Sequence, residues 1–171
     1  LYDPETKQVK IPEAYKPALK AFNEAGFVSL SNDQEIGGMG MPDSIAQCAT
    51  EYFTAASVAF SMYPALTIGS MNLVKNFGTD EMKEKFLSKM VDGEWGGTMC
   101  LTEPDAGSDV GALKTKAVKQ DDGTYKIVGQ KIFISGGDYD SVENIIHPVL
   151  ARIEGDPPGT KGISIFIVPK F

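Results

Sequence analysis

Cysteine and histidine are scarce in this chain, and no long uncharged apolar run interrupts it. The two cysteines, Cys48 and Cys100, stand far apart with no CxxC spacing, which spells out neither a zinc site nor a disulfide framework and fits a reducing, cytoplasmic setting. The single histidine, His147, lies in an apolar stretch beside Pro148 and reads as a packed side chain. The acidic cluster Asp138, Asp140 and Glu143 reads as solvated loop charge, so no metal site is expected. Basic residues are outnumbered, 16 Lys and Arg against 23 Asp and Glu for a net charge of −7, and they form no cluster. That excludes a phosphate-backbone footprint and a polybasic membrane patch, so neither nucleic acid nor stable membrane insertion is expected. No signal peptide is visible, and because the chain opens on Leu1 rather than Met it is expected to be a piece of a longer protein.

What is present is a chain of 171 residues, 42% apolar, with helical punctuation in its first half. A helix is predicted from Pro12 to the cap at Gly26, with Ala18, Phe22 and Ala25 on one face. A second is predicted from Pro42 through Ile45, Ala49, Phe53 and Ala56, broken at Tyr63 and Pro64. A third covers about 64–77, with Leu66, Met71, Leu73 and Phe77 before Gly78. The fourth takes Thr79 as its N-cap, carries Asp80 and Glu81 in its first turn, buries Met82, Phe86 and Met90, and stops at Gly93.

Beyond Gly93 the pattern changes to short β-branched and aromatic runs: EWGGTMCL, ALKTKAVKQ, YKIVG, KIFIS, NIIHPVLARI and GISIFIVP. DDGT at 121–124 is a hairpin signal, and EGDPPGTKG at 154–162 a longer connection. The fold class expected is α+β: a helical domain over 1–93, then an incomplete, antiparallel β-barrel-like domain over 94–171. IGGMGMP at 36–42 has close glycines but no preceding strand, so it reads as a helix-connecting loop rather than a dinucleotide fingerprint.

Two strand ends stand out, MCLTEPDAGSD and GQKIFISGG, each passing from apolar residues to a hydroxyl and then to small residues. Such ends expose backbone N–H groups to a ligand, but Thr102 and Ser135 could equally satisfy local turns while Gly107 and Gly136 supply unusual backbone angles.

These two stretches resemble the acyl-CoA dehydrogenase family, whose middle domain carries T-E-P-x-A-G-S-D and then G-x-K-x-x-I-[ST]-x-G. GTDEMKEKFLSKMVDGEW and GTKGISIFIVPKF extend the resemblance over nearly the whole chain. TMCLTEP, KIFISGGDYD and ENIIHPVLARI are most similar to the longer bacterial branch that includes 3-methylthiopropanoyl-CoA dehydrogenase. The resemblance implies FAD as cofactor, with Met99, Leu101, Thr102, Gly107 and Ser108 on one side of the flavin and Phe133, Ile134 and Ser135 on the other. Ser108 is implied also to approach the acyl-CoA substrate. Phe133 stands where the family usually has Trp, and Ser135 where Thr is commoner. The implied reaction is α,β-dehydrogenation of an acyl-CoA thioester to a trans-2-enoyl-CoA, with electrons passed to an electron-transferring flavoprotein and a homo-oligomer as the full-length assembly. The family's base comes from a carboxy-terminal helical domain absent from this stretch, so no catalytic residue is assigned here, and Glu103 is expected to be structural. An acyl-CoA oxidase or flavin monooxygenase of the same fold, or a non-catalytic cofactor-proximal module, stays open.

Overall fold

The computed structural model describes residues 2–171. A short antiparallel pair, β1 (Tyr2–Asp3) and β2 (Gln8–Val9), precedes four helices: α1 (Tyr15–Glu24), α2 (Asp43–Ala56), α3 (Val58–Phe77) and α4 (Asp80–Val91). The strands follow as β3 (Trp95–Gly97), β4 (Lys116–Lys119), β5 (Tyr125–Val128), β6 (Asn144–Ile153) and β7 (Ile163–Pro169). The chain divides into two compact units, one of residues through Thr98 with Ser135–Ile146 and Pro169–Phe171, the other of Met99–Ile134 with His147–Val168. β6 contributes its first three residues to the first unit and the rest to the second.

In the first unit, α1 buries Leu19 and Phe22, and the chain reverses at Gly26, whose φ of 75° suits glycine. The break expected at Tyr63 and Pro64 falls instead at Ser57. Ser57 is extended and its Oγ accepts the Phe60 N–H at 3.2 Å, so one hydroxyl ends α2 and caps α3. Pro64 lies inside α3. An interior proline costs about 3 kcal/mol, but complete burial of a large apolar side chain returns about 1.5–3 kcal/mol, and α3 buries Phe60, Met71 and Val74, so packing wins. Phe77, expected on the apolar face, is exposed. Thr79 caps α4 as predicted, its Oγ1 accepting the Met82 N–H at 3.2 Å. Phe86 and Met90 are buried on α4, with Met82 half-buried. Around α1 an aromatic cluster forms from Tyr15, Phe22, Phe27, Phe53, Phe60 and Tyr63, mostly in edge-on contact.

The sheet is mixed, where antiparallel strands were expected. In the first unit β3 runs parallel to the start of β6, Gly96 opposite Ile145. In the second, β4 pairs antiparallel with β5 but parallel with β6, Lys116 opposite Arg152. β7 also pairs with β6. The reason lies in the connections: the DDGT hairpin reverses the chain once, and the long stretch from Gly129 to Glu143 reverses it again before β6 begins. Asp122 shapes the hairpin, its Oδ1 accepting from the Thr124 N–H and hydroxyl. β6 is buried on both faces through Ile145, Ile146, Val149 and Ala151, as a central strand should be. Among the described residues the sheet stays open and closes no barrel. KIFIS forms no strand: 131–134 is irregular, and Phe133 sits at φ 56°, a left-handed angle incompatible with a pleated ladder.

Candidate functional site

Strand alternation orients the first candidate segment. Cys100 pairs with Val149 in the second unit, its N–H donating to the Pro148 carbonyl at 2.8 Å and its carbonyl accepting from Leu150 at 3.1 Å. Cys100 is buried, so its neighbours Met99 and Leu101 point to the opposite face, where both are half-buried. Thr102 is half-buried as well. Glu103 then starts a tight turn through Pro104 and Asp105, exchanging backbone bonds with Ala106 at 3.0 and 3.2 Å. Gly107 and Ser108 follow on the surface.

The second segment lies alongside within the same unit. The Ile132 N–H donates to the Thr102 carbonyl at 2.9 Å. Lys131 Nζ donates to the Leu101 carbonyl at 3.0 Å and to Glu103 Oε1 at 2.8 Å. Glu103 also accepts the Lys114 N–H at 2.6 Å and the Thr115 N–H at 3.0 Å. Burial alone would raise the Glu103 pKa, but the Lys131 ammonium and these donors outweigh it and hold the carboxyl at about 2. Glu103 is therefore ionised near neutral pH and tied into the structure by these bonds, the structural role that the resemblance led one to expect. Lys131 was given no role, although it is the lysine of the G-x-K-x-x-I-[ST]-x-G motif and opens an otherwise apolar run.

Five features of this arrangement suit a flat, polar-edged ligand. Among the described residues, the N–H groups of Leu101, Thr102 and Phe133 meet no backbone or side-chain acceptor. Phe133 is 88% exposed while held at its left-handed angle, a conformation that is uncommon in bulky residues and concentrated at functional sites. Ile134, like Met99 and Leu101, is half-buried. A Cβ on Gly107 would meet no protein atom within 4 Å, so nothing in the protein itself demands glycine there. The Ser108 side chain is exposed beside it. Ser135 belongs to the first unit, where it is exposed and opens a turn through Gly136 at φ 61°.

Other polar features resolve into structure. In the first unit Asp140 pairs with Lys16 at 2.9 Å and accepts the Ile11 N–H at 3.0 Å, and Asp138 pairs with Lys170 at 2.6 Å. No metal-binding group of three or more His, Cys, Asp or Glu occurs among the described residues. His147 Nδ1 lies 3.9 Å from Cys100 Sγ. Residues 37–42 form a loop between helices. Among the described residues no helix is long and apolar enough to cross a membrane.

Residues 2–94 match the acyl-CoA dehydrogenase N-terminal domain and residues 98–171 the acyl-CoA dehydrogenase middle domain. The chain is 46% identical over 166 residues to 3-methylmercaptopropionyl-CoA dehydrogenase of Ruegeria pomeroyi, which covers 97% of this chain and 28% of that protein. It is also 46% identical over 172 residues to the broad-specificity linear acyl-CoA dehydrogenase of Mycobacterium tuberculosis, covering 100% of this chain and again 28% of the relative. Among solved structures, the acyl-CoA dehydrogenase of Bacillus anthracis complexed with FAD superposes with a TM-score of 0.76 at 31% identity, over 91% of this chain and 25% of the other. The chain spans little more than a quarter of the length of these curated relatives. With both domains matched in order, from Tyr2 to Phe171, the chain belongs to the acyl-CoA dehydrogenase family.

Proposed function

We propose that this chain is the FAD- and acyl-CoA-binding portion of a dehydrogenase that converts an acyl-CoA thioester to its trans-2-enoyl-CoA. The observation that carries this reading is the pair of segments at Leu101–Thr102 and Lys131–Phe133, with N–H donors that no acceptor among the described residues meets and an exposed aromatic ring held at a left-handed angle. Residues 1–93 serve as the helical domain and 94–171 as the β domain. The chemistry that bound FAD would supply here is that of a hydride acceptor for the substrate β-carbon. Toward the cofactor the N–H groups of Leu101 and Thr102 and the Thr102 and Ser135 hydroxyls supply donors where negative charge accumulates. Met99, Leu101 and Ile134 supply apolar wall, and Phe133 keeps an aromatic face although it lacks the indole N–H of a tryptophan. The open space at Gly107 lets backbone approach the cofactor closely, and Ser108 reaches the thioester end of the substrate.

The α-proton must pass to a base, and the buried carboxylate here is unfit for it. Glu103, with a pKa of about 2 and its oxygens committed to Lys131, Lys114 and Thr115, cannot hold a proton near neutrality. Asp140 is likewise pushed down, by the Ile11 N–H and Lys16 against the opposing effect of burial. The base is contributed by residues outside this stretch. Electrons leave to an electron-transferring flavoprotein, and the whole protein works as a cytoplasmic homo-oligomer. In the full-length protein, Thr102→Val and Ser135→Ala are expected to lower FAD retention or shift the flavin potential, since each removes a donor. Unchanged flavin content and potential in both variants would refute the assignment.

A further inference from the structure

Leu101 C=O and Thr102 N–H belong to one planar trans peptide, so they point in opposite directions. The carbonyl is gripped by Lys131 Nζ at 3.0 Å. Whatever holds that carbonyl therefore aims the Thr102 N–H. The next peptide obeys the same rule: Ile132 holds the Thr102 carbonyl at 2.9 Å, and the Glu103 N–H on its far side donates to Ala106. Lys131 is nearly sealed, its side chain 10% exposed and that of Glu103 5%. A buried ammonium needs a fixed counter-charge, and Glu103 provides it at 2.8 Å while its backbone N–H partners at Lys114 and Thr115 prevent it from moving.

We propose that Lys131 is a positioning residue for the cofactor site: by gripping the Leu101 carbonyl it turns the Thr102 N–H outward toward the ligand, with Glu103 serving as the counter-charge that keeps the ammonium in place. This rests on the FAD reading above. It adds that the donor geometry at Thr102 is set by a residue from the opposite segment that itself never touches ligand. It also assigns that segment two tasks, presenting Phe133 and orienting the facing peptide, so the two sides of the site move together.

The test compares Glu103→Gln/Lys131→Met, which removes both charges and keeps the alkyl volume, with Lys131→Arg, which keeps a charge and donors. Two measurements separate the layers. In the 171-residue chain without flavin, the Thr102 amide resonance and its hydrogen exchange report the peptide's direction. In the full-length protein, FAD affinity and flavin potential report its consequence. The double variant is expected to stay folded, shift the Thr102 amide, bind FAD about tenfold more weakly and move the potential, because one directed donor is lost; Lys131→Arg recovers part of each. A double variant that is less stable yet keeps the parent's amide shift, FAD affinity and potential would reduce the pair to a structural role and overturn the proposal. If the parent protein holds no FAD, the cofactor reading falls and takes the ligand-facing half of this proposal with it, while the amide measurement still decides whether Lys131 orients the peptide.

Discussion

Glu103 makes the stability of the second unit depend on acid in a calculable way. Its carboxyl has an ordinary pKa of 4.5 when free and about 2 when folded, a depression of roughly 2.5 units. At 1.36 kcal/mol per unit this corresponds to about 3 kcal/mol. Because Glu103 is only 5% exposed, solvent screening removes little of it. The sign follows from the depression: the stabilisation is complete above about pH 4.5, where the unfolded carboxyl is also ionised, and drains away as pH falls through about 2. Glu103→Gln cannot titrate and leaves the Lys131 ammonium buried without its partner, a loss of about 3–5 kcal/mol near neutrality. Urea denaturation of parent and variant at several values between pH 7 and pH 2.5 checks this, because carboxylates common to both, Asp140 among them, cancel in the difference. The gap should be widest at pH 7 and narrow steadily below pH 4.5. A gap that is absent at pH 7, or that stays constant down to pH 2.5, would refute the reasoning.

Thr79→Ala should cost about 1 kcal/mol by removing the cap on the Met82 N–H, read as a lower urea midpoint with an unchanged slope. Phe133→Gly should leave chain stability within about 1 kcal/mol of the parent, relief of the left-handed angle offsetting glycine's backbone entropy, while weakening FAD retention in the full-length protein. A large stability loss in that variant would show that the ring packs within the chain. The 171-residue chain alone is expected to hold FAD weakly and to leave acyl-CoA unoxidised; a yellow preparation whose flavin is bleached by an acyl-CoA would contradict the placement of the base outside it.

Helix identity was legible wherever a side chain announces its own role. Thr79 caps as its position before Asp80 and Glu81 predicts, and Gly26 and Gly93 turn the chain at φ 75° and 73°. Ser57 was illegible because Pro64, the stronger breaker by propensity, lies seven residues on; tertiary burial of α3 overrides it, and no local pattern reports that burial. Strand direction was hidden for a similar reason. The runs around Trp95 and Ile145 have the same composition in parallel as in antiparallel pairing, and only the long excursion between them decides. At the candidate site, the threonine, glycine and serine of the first motif could be read directly from their types. Phe133 reads from its type as a strand residue, and its departure from the ladder depends on bonds made by Lys131 and Ile132 on either side of the facing segment.

Helix α2 buries none of its fourteen residues. Ile45 and Tyr52 are 50% and 79% exposed, Pro42 offers no side-chain cap, and the firmest anchor is Phe53, with ring centroids 4.8 and 4.9 Å from Phe22 and Phe27. A helix of this length is marginal in water by itself. Its hydrogen bonds therefore open in a low-energy local fluctuation long before α3, seven of whose residues are buried, lets go. In the 171-residue chain by itself, hydrogen exchange is therefore expected to be fast along α2 and slow in α3, with Ser57 at the boundary between the two rates.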